Sequence, residues 1–226
     1  STWFAELVEG GVDSVTVEAS SHALQQRRLD GIRFDAVVFT NLSQDHLDYH
    51  LDMAAYFRAK AHLLNLMKTD GCVVVNADDA HWKDLSIQGL RTVTYGIDEP
   101  ADLRADDIEQ GSAGTKFRMV AEEGEVDVDL PLIGRFNVEN CLAAAGVGAV
   151  AGMSLNAVAD RLASVPQIPG RLEVVTRKPF VVVIDFAHTP DALRRVLTTI
   201  RPLTSGRLIV VFGAGGDRDR GKRPDM

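Results

Sequence analysis

The feature that most constrains the fold is a series of short apolar runs, each of which ends at polar residues. The clearest are 34–40 and 72–76, which are rich in valine and are separated by a segment with helical spacing of its apolar residues. Short apolar runs that alternate with helical patterns predict βαβ units and a mainly parallel sheet. We therefore predict the α/β class, in which ligands bind at the carboxyl ends of the strands.

The second half of the chain changes character twice. Between residues 101 and 131, charged and glycine-containing stretches alternate with short β patterns, which predicts a small antiparallel insertion on the sheet. A proline- and glycine-rich stretch at 165–171 predicts a linker. After it, a buried strand at 180–185, a helix and a second buried strand at 207–212 predict that another α/β domain begins. We divide the chain into domains at 1–168 and 172–226.

The stretch 40–50 (TNLSQDHLDYH) follows the first apolar run and carries Asp45, His46, Asp48 and His50. Carboxylates and an imidazole suit a hard divalent cation such as Mg²⁺, and phosphate oxygens can fill its remaining positions. The alternative is a solvated turn with helix-capping aspartates. That alternative stays open for the last three residues of the stretch.

Two further segments supply candidate residues. The run 13–18 is predicted to be a strand that ends at Glu18, and a buried carboxylate is costly unless it is paired. Ser20 or Ser21 can cap the helix that follows, and a plain capping role stays open for both. Lys60 lies within the helix predicted after the stretch 40–50, where a solvent-facing lysine is the alternative.

Composition excludes several classes of function. The 226 residues are 46% hydrophobic, which is enough for one sizeable core or two modest ones. The net charge is −8, and no long basic run suggests nucleic acid. No apolar run is long enough for a membrane span, and the first residues do not resemble a signal peptide. Cys72 and Cys141 lie in apolar stretches, which fits a reducing cytoplasm. We expect a cytoplasmic monomer whose partners are small molecules.

Seven short motifs occur in an order that resembles the Mur ligases. They are VEASSHAL, FTNLSQDHLDYH, YFRAKAHL, LIGRFNVEN, GRLE, DFAHTPDAL and VFGAGGDRDRGKRPDM. The resemblance implies a three-domain protein, of which this chain holds most of the central ATPase-type domain and the start of the Rossmann-like C-terminal domain. The family's Walker A loop would precede Ser1, and its Asp-Asn-Pro-Arg motif would follow Met226. By this reasoning the chain alone is expected to be inactive.

The resemblance implies an ATP- and Mg²⁺-dependent ligase that forms an amide bond in peptidoglycan precursor synthesis. ATP would phosphorylate a carboxylate of a UDP-sugar dipeptide, and the amine of an incoming amino acid would attack the acyl phosphate. The motifs are most similar to those of members that add meso-diaminopimelate to UDP-N-acetylmuramoyl-L-alanyl-D-glutamate. A member that adds lysine is the nearest alternative.

The resemblance also implies roles for individual residues. Glu18, His46 and Lys60 would be the catalytic residues and Mg²⁺ ligands, with Lys60 present as the carbamate formed with CO₂. That reaction needs the neutral amine, so the pKa of Lys60 must be lowered. The remaining residues would contact substrates. Ser20 and Arg28 would contact the muramoyl dipeptide, and Arg218 would contact diaminopimelate. Asn137 and Asn140 would lie at the adenine side of ATP, Arg171 and Asp185 at its phosphates and ribose, and Lys222 at a phosphate.

Three other functions are compatible with parts of the sequence. A folylpolyglutamate synthase-like ligase shares the architecture and the acyl-phosphate mechanism. A metal-dependent phosphohydrolase would use activated water at the Asp/His stretch and would not need Asn137, Arg171 or Asp185. A non-catalytic nucleotide-binding module would have no need of Lys60.

Overall fold

The computed structural model of the protein describes residues 2–47, 49–214 and 223–226. It confirms the α/β class, with a six-stranded sheet in the order β1-β2-β3-β4-β5-β6 and a separate two-stranded sheet. Within the described residues, no helix is both long enough and apolar enough to cross a bilayer.

The large sheet is parallel at one side and antiparallel at the other. Its strands are β1 (Phe34–Phe39), β2 (Met67–Asn76), β3 (Arg91–Gly96), β4 (Leu103–Gln110), β5 (Thr115–Ala121) and β6 (Gly124–Leu130). Strands β1 to β4 run parallel, and β4 to β6 are antiparallel neighbours. The predicted antiparallel insertion is therefore continuous with the main sheet, which it joins where Tyr95 and Gly96 of β3 pair with Leu103 and Arg104 of β4.

Five α-helices precede the two-stranded sheet in the described chain, and a sixth follows it. They are α1 (Thr2–Glu9), α2 (Ser21–Gln25), α3 (Met53–Ala61), α4 (Arg135–Val150), α5 (Leu155–Ala163) and α6 (Pro190–Ile200). Three short 3₁₀ helices lie at His62–Leu66, Ala80–Asp84 and Arg201–Leu203. Four helices begin at a side chain that accepts a backbone N–H of the first turn, namely Ser20, Asp52, Ser154 and Thr189.

Two apolar layers hold the helices against the sheet. On one face, α4 packs so closely on β2 that a Cβ added at Gly146 would lie 2.6 Å from Val74 Cγ1. Burial there raises the pKa of the Cys141 thiol to about 12, as expected for an inert core cysteine. On the other face, Phe39 and Tyr56 share a buried cluster, which fixes α3 relative to the end of β1.

Three strand predictions differ from the structure. Residues 13–18 and 207–212 are not paired in a sheet, and Val211 is 95% exposed. The strand predicted at 180–185 is shorter, because β8 (Val182–Ile184) pairs antiparallel with β7 (Glu173–Thr176). A β-branched run becomes a strand only where another backbone supplies its hydrogen bonds, and the described residues supply none at 13–18 or 207–212. The buried, parallel βαβ arrangement predicted for residues 180–212 is therefore absent among the described residues.

Candidate active site

The carboxyl ends of β1, β2 and β3 lie at one edge of the sheet, and two aspartates after β2 hold the neighbouring loops there. Asp79 Oδ2 accepts the N–H of Leu42, at 2.6 Å, from the loop after β1. Asp78 accepts the N–H groups of Ile97, Asp98 and Glu99 after β3, at 2.6–3.0 Å. Asp78 and Asp79 are not among the residues predicted for the site, although two aspartates directly after an apolar strand were a usable signal.

His46 lies in the loop after β1 with a strained backbone. Its φ is 56°, in the left-handed region that residues other than glycine seldom adopt. The loop is closed by the N–H groups of Tyr49 and His50, which donate to His46 O at 3.0 and 2.8 Å. Asp45 Oδ1 accepts the His46 N–H at 2.9 Å, and Asp45 Oδ2 lies 3.5 Å from His46 Nε2. Such strain is commonly found where a side chain is held for function.

Lys60 is half-buried on α3 and faces the same loop. Burial lowers the pKa of Lys60, and the charges of Glu18 and Asp45 act in the opposite direction. Its Nζ also lies 5.8 Å from the centroid of the Tyr56 ring. The structure therefore brings Lys60, Glu18, Asp45 and His46 into one region, and the solvent-facing alternative for Lys60 does not hold.

Glu18 differs from the prediction in its surroundings. It is exposed and follows an irregular segment, whereas the sequence analysis placed it at the end of a buried strand. Its carboxylate thus avoids the burial penalty that motivated its selection. Its charge still acts on Lys60 across the loop.

The donor groups of this region suit a magnesium–nucleotide complex better than an ion held by protein alone. Within the described part of the chain, no group of three or more His, Cys, Asp and Glu side chains is arranged to hold a metal ion. Mg²⁺ keeps several waters in proteins and is bound through one or two carboxylates together with substrate phosphates. Glu18 and Asp45 offer carboxylates of that kind, and His46 adds an imidazole nitrogen beside them.

Five rings from three elements pack together around His46. His22 of α2 lies 4.0 Å from the Tyr49 ring and 4.8 Å from the His46 ring, between centroids. The Tyr56 ring of α3 lies 6.1 Å from His46 and 5.2 Å from His50. The ring cluster therefore joins the start of α2 and the His46 loop to α3.

The residues predicted for the adenine side lie at the start of α4. Asn137 is buried, and its Nδ2 donates to Ile133 O at 2.9 Å. Asn140 is exposed, and its Nδ2 is 3.5 Å from Asn137 Oδ1. The buried hydroxyl of Thr115 fixes the preceding loop, since it donates to Leu132 O and accepts from the Gly134 N–H. In this structure Asn137 supports its own helix, so only Asn140 offers an exposed amide.

Arg171 lies in the linker before β7, and Asp185 holds that linker from the end of β8. The Arg171 guanidinium lies 5.2 Å from the centroid of the Phe186 ring and is exposed. Asp185 accepts the N–H groups of Leu172 and Ala187, both at 2.8 Å, with its two carboxylate oxygens. Asp185 therefore braces the linker in addition to any contact it makes with a nucleotide.

The remaining predicted residues divide into two groups. Ser20 caps α2, where its Oγ accepts the Ala23 N–H at 3.1 Å, and Arg28 is exposed just beyond that helix. Arg218 and Lys222, together with Asp48, lie outside the described residues.

The C-terminal part reaches the loop that carries His46. His188 Nε2, in the segment before α6, lies 3.7 Å from Asp45 Oδ2. Arg195 of α6 lies 3.8 Å from Glu139 of α4. Two polar contacts therefore connect the C-terminal part with the His46 loop and with α4.

Charged and polar side chains gathered at the carboxyl edge of a mainly parallel sheet are typical of an α/β enzyme that binds its ligand there, and comparison with known proteins identifies the family. Residues 1–148 match the model of the Mur ligase middle domain, and residues 170–226 match that of the Mur ligase glutamate ligase domain. The chain belongs to the Mur ligase family.

Two curated relatives of high similarity share one name. Over 98% of its length the chain is 44% identical to the UDP-N-acetylmuramoyl-L-alanyl-D-glutamate–2,6-diaminopimelate ligase of Gloeobacter violaceus, of which it covers 46%. It is 42% identical to the ligase of that name from Bacillus velezensis, and it covers 47% of that protein. The chain thus spans about half the length of the curated relatives that it matches.

Solved structures agree with this assignment. A structure of a UDP-N-acetylmuramoyl-L-alanyl-D-glutamate–2,6-diaminopimelate ligase superposes with a TM-score of 0.72 at 42% identity, over 92% of this chain and 44% of that one. MurF from Acinetobacter baumannii superposes with a TM-score of 0.69 at 21% identity, over 76% of this chain and 38% of that one. At that identity the second likeness supports the fold alone.

Proposed function

We propose that the protein is the ligase that adds meso-diaminopimelate to UDP-N-acetylmuramoyl-L-alanyl-D-glutamate, with ATP as the energy source, in peptidoglycan precursor synthesis. The observation that carries this proposal is the 44% identity over 98% of the chain to a ligase of that name. The convergence of an acid, a histidine and a half-buried lysine at one sheet edge supports it.

The reaction has two chemical steps. A carboxylate oxygen of the dipeptide attacks the γ-phosphorus of ATP, which gives ADP and an acyl phosphate. The amine of diaminopimelate then attacks the acyl carbon, and the amide forms as inorganic phosphate and a proton leave. Little covalent chemistry falls to the protein, which positions the reactants and neutralises charge on the phosphoryl oxygens.

Lys60 is the residue whose environment contributes most to this reaction. Its lowered pKa increases the neutral amine, and that amine can attack CO₂ and lose a proton to become a carbamate anion. The carbamate would join Glu18 and His46 as a ligand of Mg²⁺. The metal would neutralise charge on the phosphoryl oxygens when ATP is bound.

The substrate contacts are assigned from the positions that match the family's motifs. Ser20 and Arg28, at the two ends of α2, are assigned to the muramoyl dipeptide. Asn140 and Asn137 are assigned to the adenine side. Arg171 and Asp185 are assigned to the phosphates and ribose of ATP.

The predicted diaminopimelate contact lies outside the described residues. Arg218 would hold a carboxylate of the incoming amino acid, because a guanidinium can form two parallel hydrogen bonds with it. Lys222 would face phosphate. We retain a boundary between domains 1–168 and 172–226 as part of this proposal, together with the expectation of a cytoplasmic monomer.

The product of the full-length protein tests the proposal. The protein is incubated with ATP, UDP-N-acetylmuramoyl-L-alanyl-D-glutamate and either meso-diaminopimelate or L-lysine, and the product is identified by mass spectrometry. We expect the diaminopimelate adduct, formed faster than the lysine adduct. Faster ligation of lysine would overturn the substrate assignment, and equal ADP release without any amino acid would overturn the ligase assignment.

A further inference from the structure

His50 and Ser21 form a buried polar pair that the proposed reaction does not use. Their side chains join through His50 Nε2 and Ser21 Oγ, 2.9 Å apart. The two residues are only 2% and 1% exposed. Buried polar side chains are normally paired, and a bond of this kind specifies one arrangement of the elements that it connects.

His50 makes contacts with three separate parts of the chain. Its Nε2 meets Ser21 at the start of α2, and its backbone N–H donates to His46 O at 2.8 Å. Its ring lies 5.2 Å from the Tyr56 ring of α3, with an angle of 30° between the planes. The residue therefore lies where α2, the His46 loop and α3 meet.

Each of these parts carries one residue of the proposed site. Ser20 directly precedes Ser21, and His46 is the residue whose carbonyl receives the His50 N–H. Lys60 lies four residues after Tyr56 on α3, which places the two side chains on one face of the helix. The relative positions of the dipeptide contact, the histidine and the lysine thus all depend on the contacts of His50.

We propose that His50 is a positioning residue, which through its bond to Ser21 fixes the start of α2 and the His46 loop against the helix of Lys60. The inference rests on the proposed ligase function, since it concerns the geometry of that site. A displacement of roughly 1 Å can lower a catalysed rate on the order of 100-fold. The loss of this bond should therefore lower kcat more than it weakens the binding of ATP, whose assigned contacts lie on α4, on the linker and at the end of β8.

Four single variants of the full-length protein, and the double variant of His50→Phe with Ser21→Ala, separate positioning from general stability. His50→Phe keeps a ring beside Tyr56 but removes the bond to Ser21, while His50→Gln restores an amide nitrogen near the position of Nε2. Ser21→Ala removes the partner alone. Val128→Ala is the matched control, because it removes buried volume from β6, a strand that carries none of the proposed site residues.

The expected result is a selective loss of turnover. His50→Phe and Ser21→Ala should each lower kcat at least about tenfold, with little change in KM for ATP, and the double variant should be no worse than His50→Phe, as for two residues that act through one interaction. His50→Gln should recover most of the loss. Hydrogen exchange at the amides of Tyr49 and His50 should be faster in His50→Phe and unchanged in Val128→Ala.

Several outcomes would overturn the inference. They are an unchanged kcat in Ser21→Ala, an equal loss of kcat in Val128→Ala at equal loss of thermal stability, or a His50→Gln variant no better than His50→Phe. If His50→Phe does not fold, Ser21→Ala decides the question alone. A wild-type protein that forms no ligation product would instead count against the proposed function, and the exchange rates would still test the positioning role.

Discussion

Lys60 has an environment unlike that of a typical surface lysine. Burial lowers the pKa of its ammonium group, although two carboxylates nearby raise it. A lysine in such an environment loses its proton more readily than a lysine in water. Its neutral amine can then be chemically modified or take part in a reaction. Lys68 is its natural comparison, since it is exposed and pairs with Asp35 at 2.6 Å.

We predict that Lys60→Ala lowers ligation by the full-length protein by roughly 100-fold or more, as for the loss of a charged group that stabilises the transition state. Added acetate should restore part of the rate by supplying a carboxylate near the position of the carbamate. Lys68→Ala should have nearly wild-type activity. Near-normal turnover of Lys60→Ala without acetate would refute the carbamate, and steady-state kinetics make the comparison.

Asp185 is assigned to the nucleotide, yet it also braces the linker. We predict that Asp185→Ala raises KM for ATP at least about tenfold, since a charge-assisted contact contributes roughly 1.5–3 kcal/mol. Glu173 supplies a matched control, because its carboxylate accepts the Gly170 N–H of the same linker at 2.8 Å. Equal increases in KM for ATP in Asp185→Ala and Glu173→Ala would show that Asp185 acts through the linker alone.

The candidate residues could be selected from sequence, but their supporting contacts could not. Asp45, His46 and Lys60 stand out because polar groups follow an apolar run. The bond between His50 and Ser21 joins residues 29 positions apart in the chain, and no local pattern indicates it. Asn137 shows another limit of prediction from sequence. Its side-chain amide could bind a ligand, but in the structure it donates to Ile133 O just before its own helix.

At the scale of elements, the strands and helices form where local pattern and tertiary partner agree. β5 forms within the predicted antiparallel insertion and α6 forms as the helix predicted after residues 180–185, because alternation in β5 and the Thr189 cap of α6 both match their surroundings. Residues 13–18 and 207–212 have strand-like composition without a pairing neighbour in the described structure. Composition fixes a preference for strand, whereas hydrogen-bond partners decide the outcome.

Gly146 in α4 tests the packing of that helix. Alanine has a higher helix propensity by about 1 kcal/mol, but its Cβ would lie 2.6 Å from Val74 Cγ1. We predict that Gly146→Ala destabilises the protein by roughly 1–3 kcal/mol through overpacking. Gly206→Ala, where an added Cβ meets nothing within 4 Å, is the control. A higher midpoint of thermal unfolding for Gly146→Ala than for wild type would contradict the close approach of α4 and β2.

At the scale of the whole molecule, a polar pair connects the C-terminal part with a helix that packs on the large sheet. Glu139 of α4 lies 3.8 Å from Arg195 of α6. Burial raises the pKa of Glu139, and Arg195 and Arg135 oppose that shift. An acid whose pKa is raised on folding favours the folded state below its unfolded pKa, and this contribution is lost as pH rises through the folded value.

We therefore predict that Glu139→Gln is more stable than wild type near pH 8, where the wild-type carboxylate is charged. The advantage should shrink as pH falls towards the ordinary pKa of glutamate, about 4.3. Midpoints of thermal unfolding for both proteins across this range provide the test. A variant less stable than wild type at pH 8 would show that the contact with Arg195 outweighs the burial of the charge.

The origin of the phosphate oxygen tests the central claim most directly. The full-length protein is supplied with ATP, diaminopimelate and UDP-N-acetylmuramoyl-L-alanyl-D-glutamate whose glutamate carboxylates carry oxygen-18, and the released phosphate is analysed by mass spectrometry. An acyl-phosphate ligase transfers one labelled oxygen to each phosphate, because the carboxylate oxygen that attacks the γ-phosphorus leaves with it when the amide forms. Unlabelled phosphate, released while the dipeptide keeps all its label, would mean that water attacks ATP and would contradict the assignment of this site to a ligase.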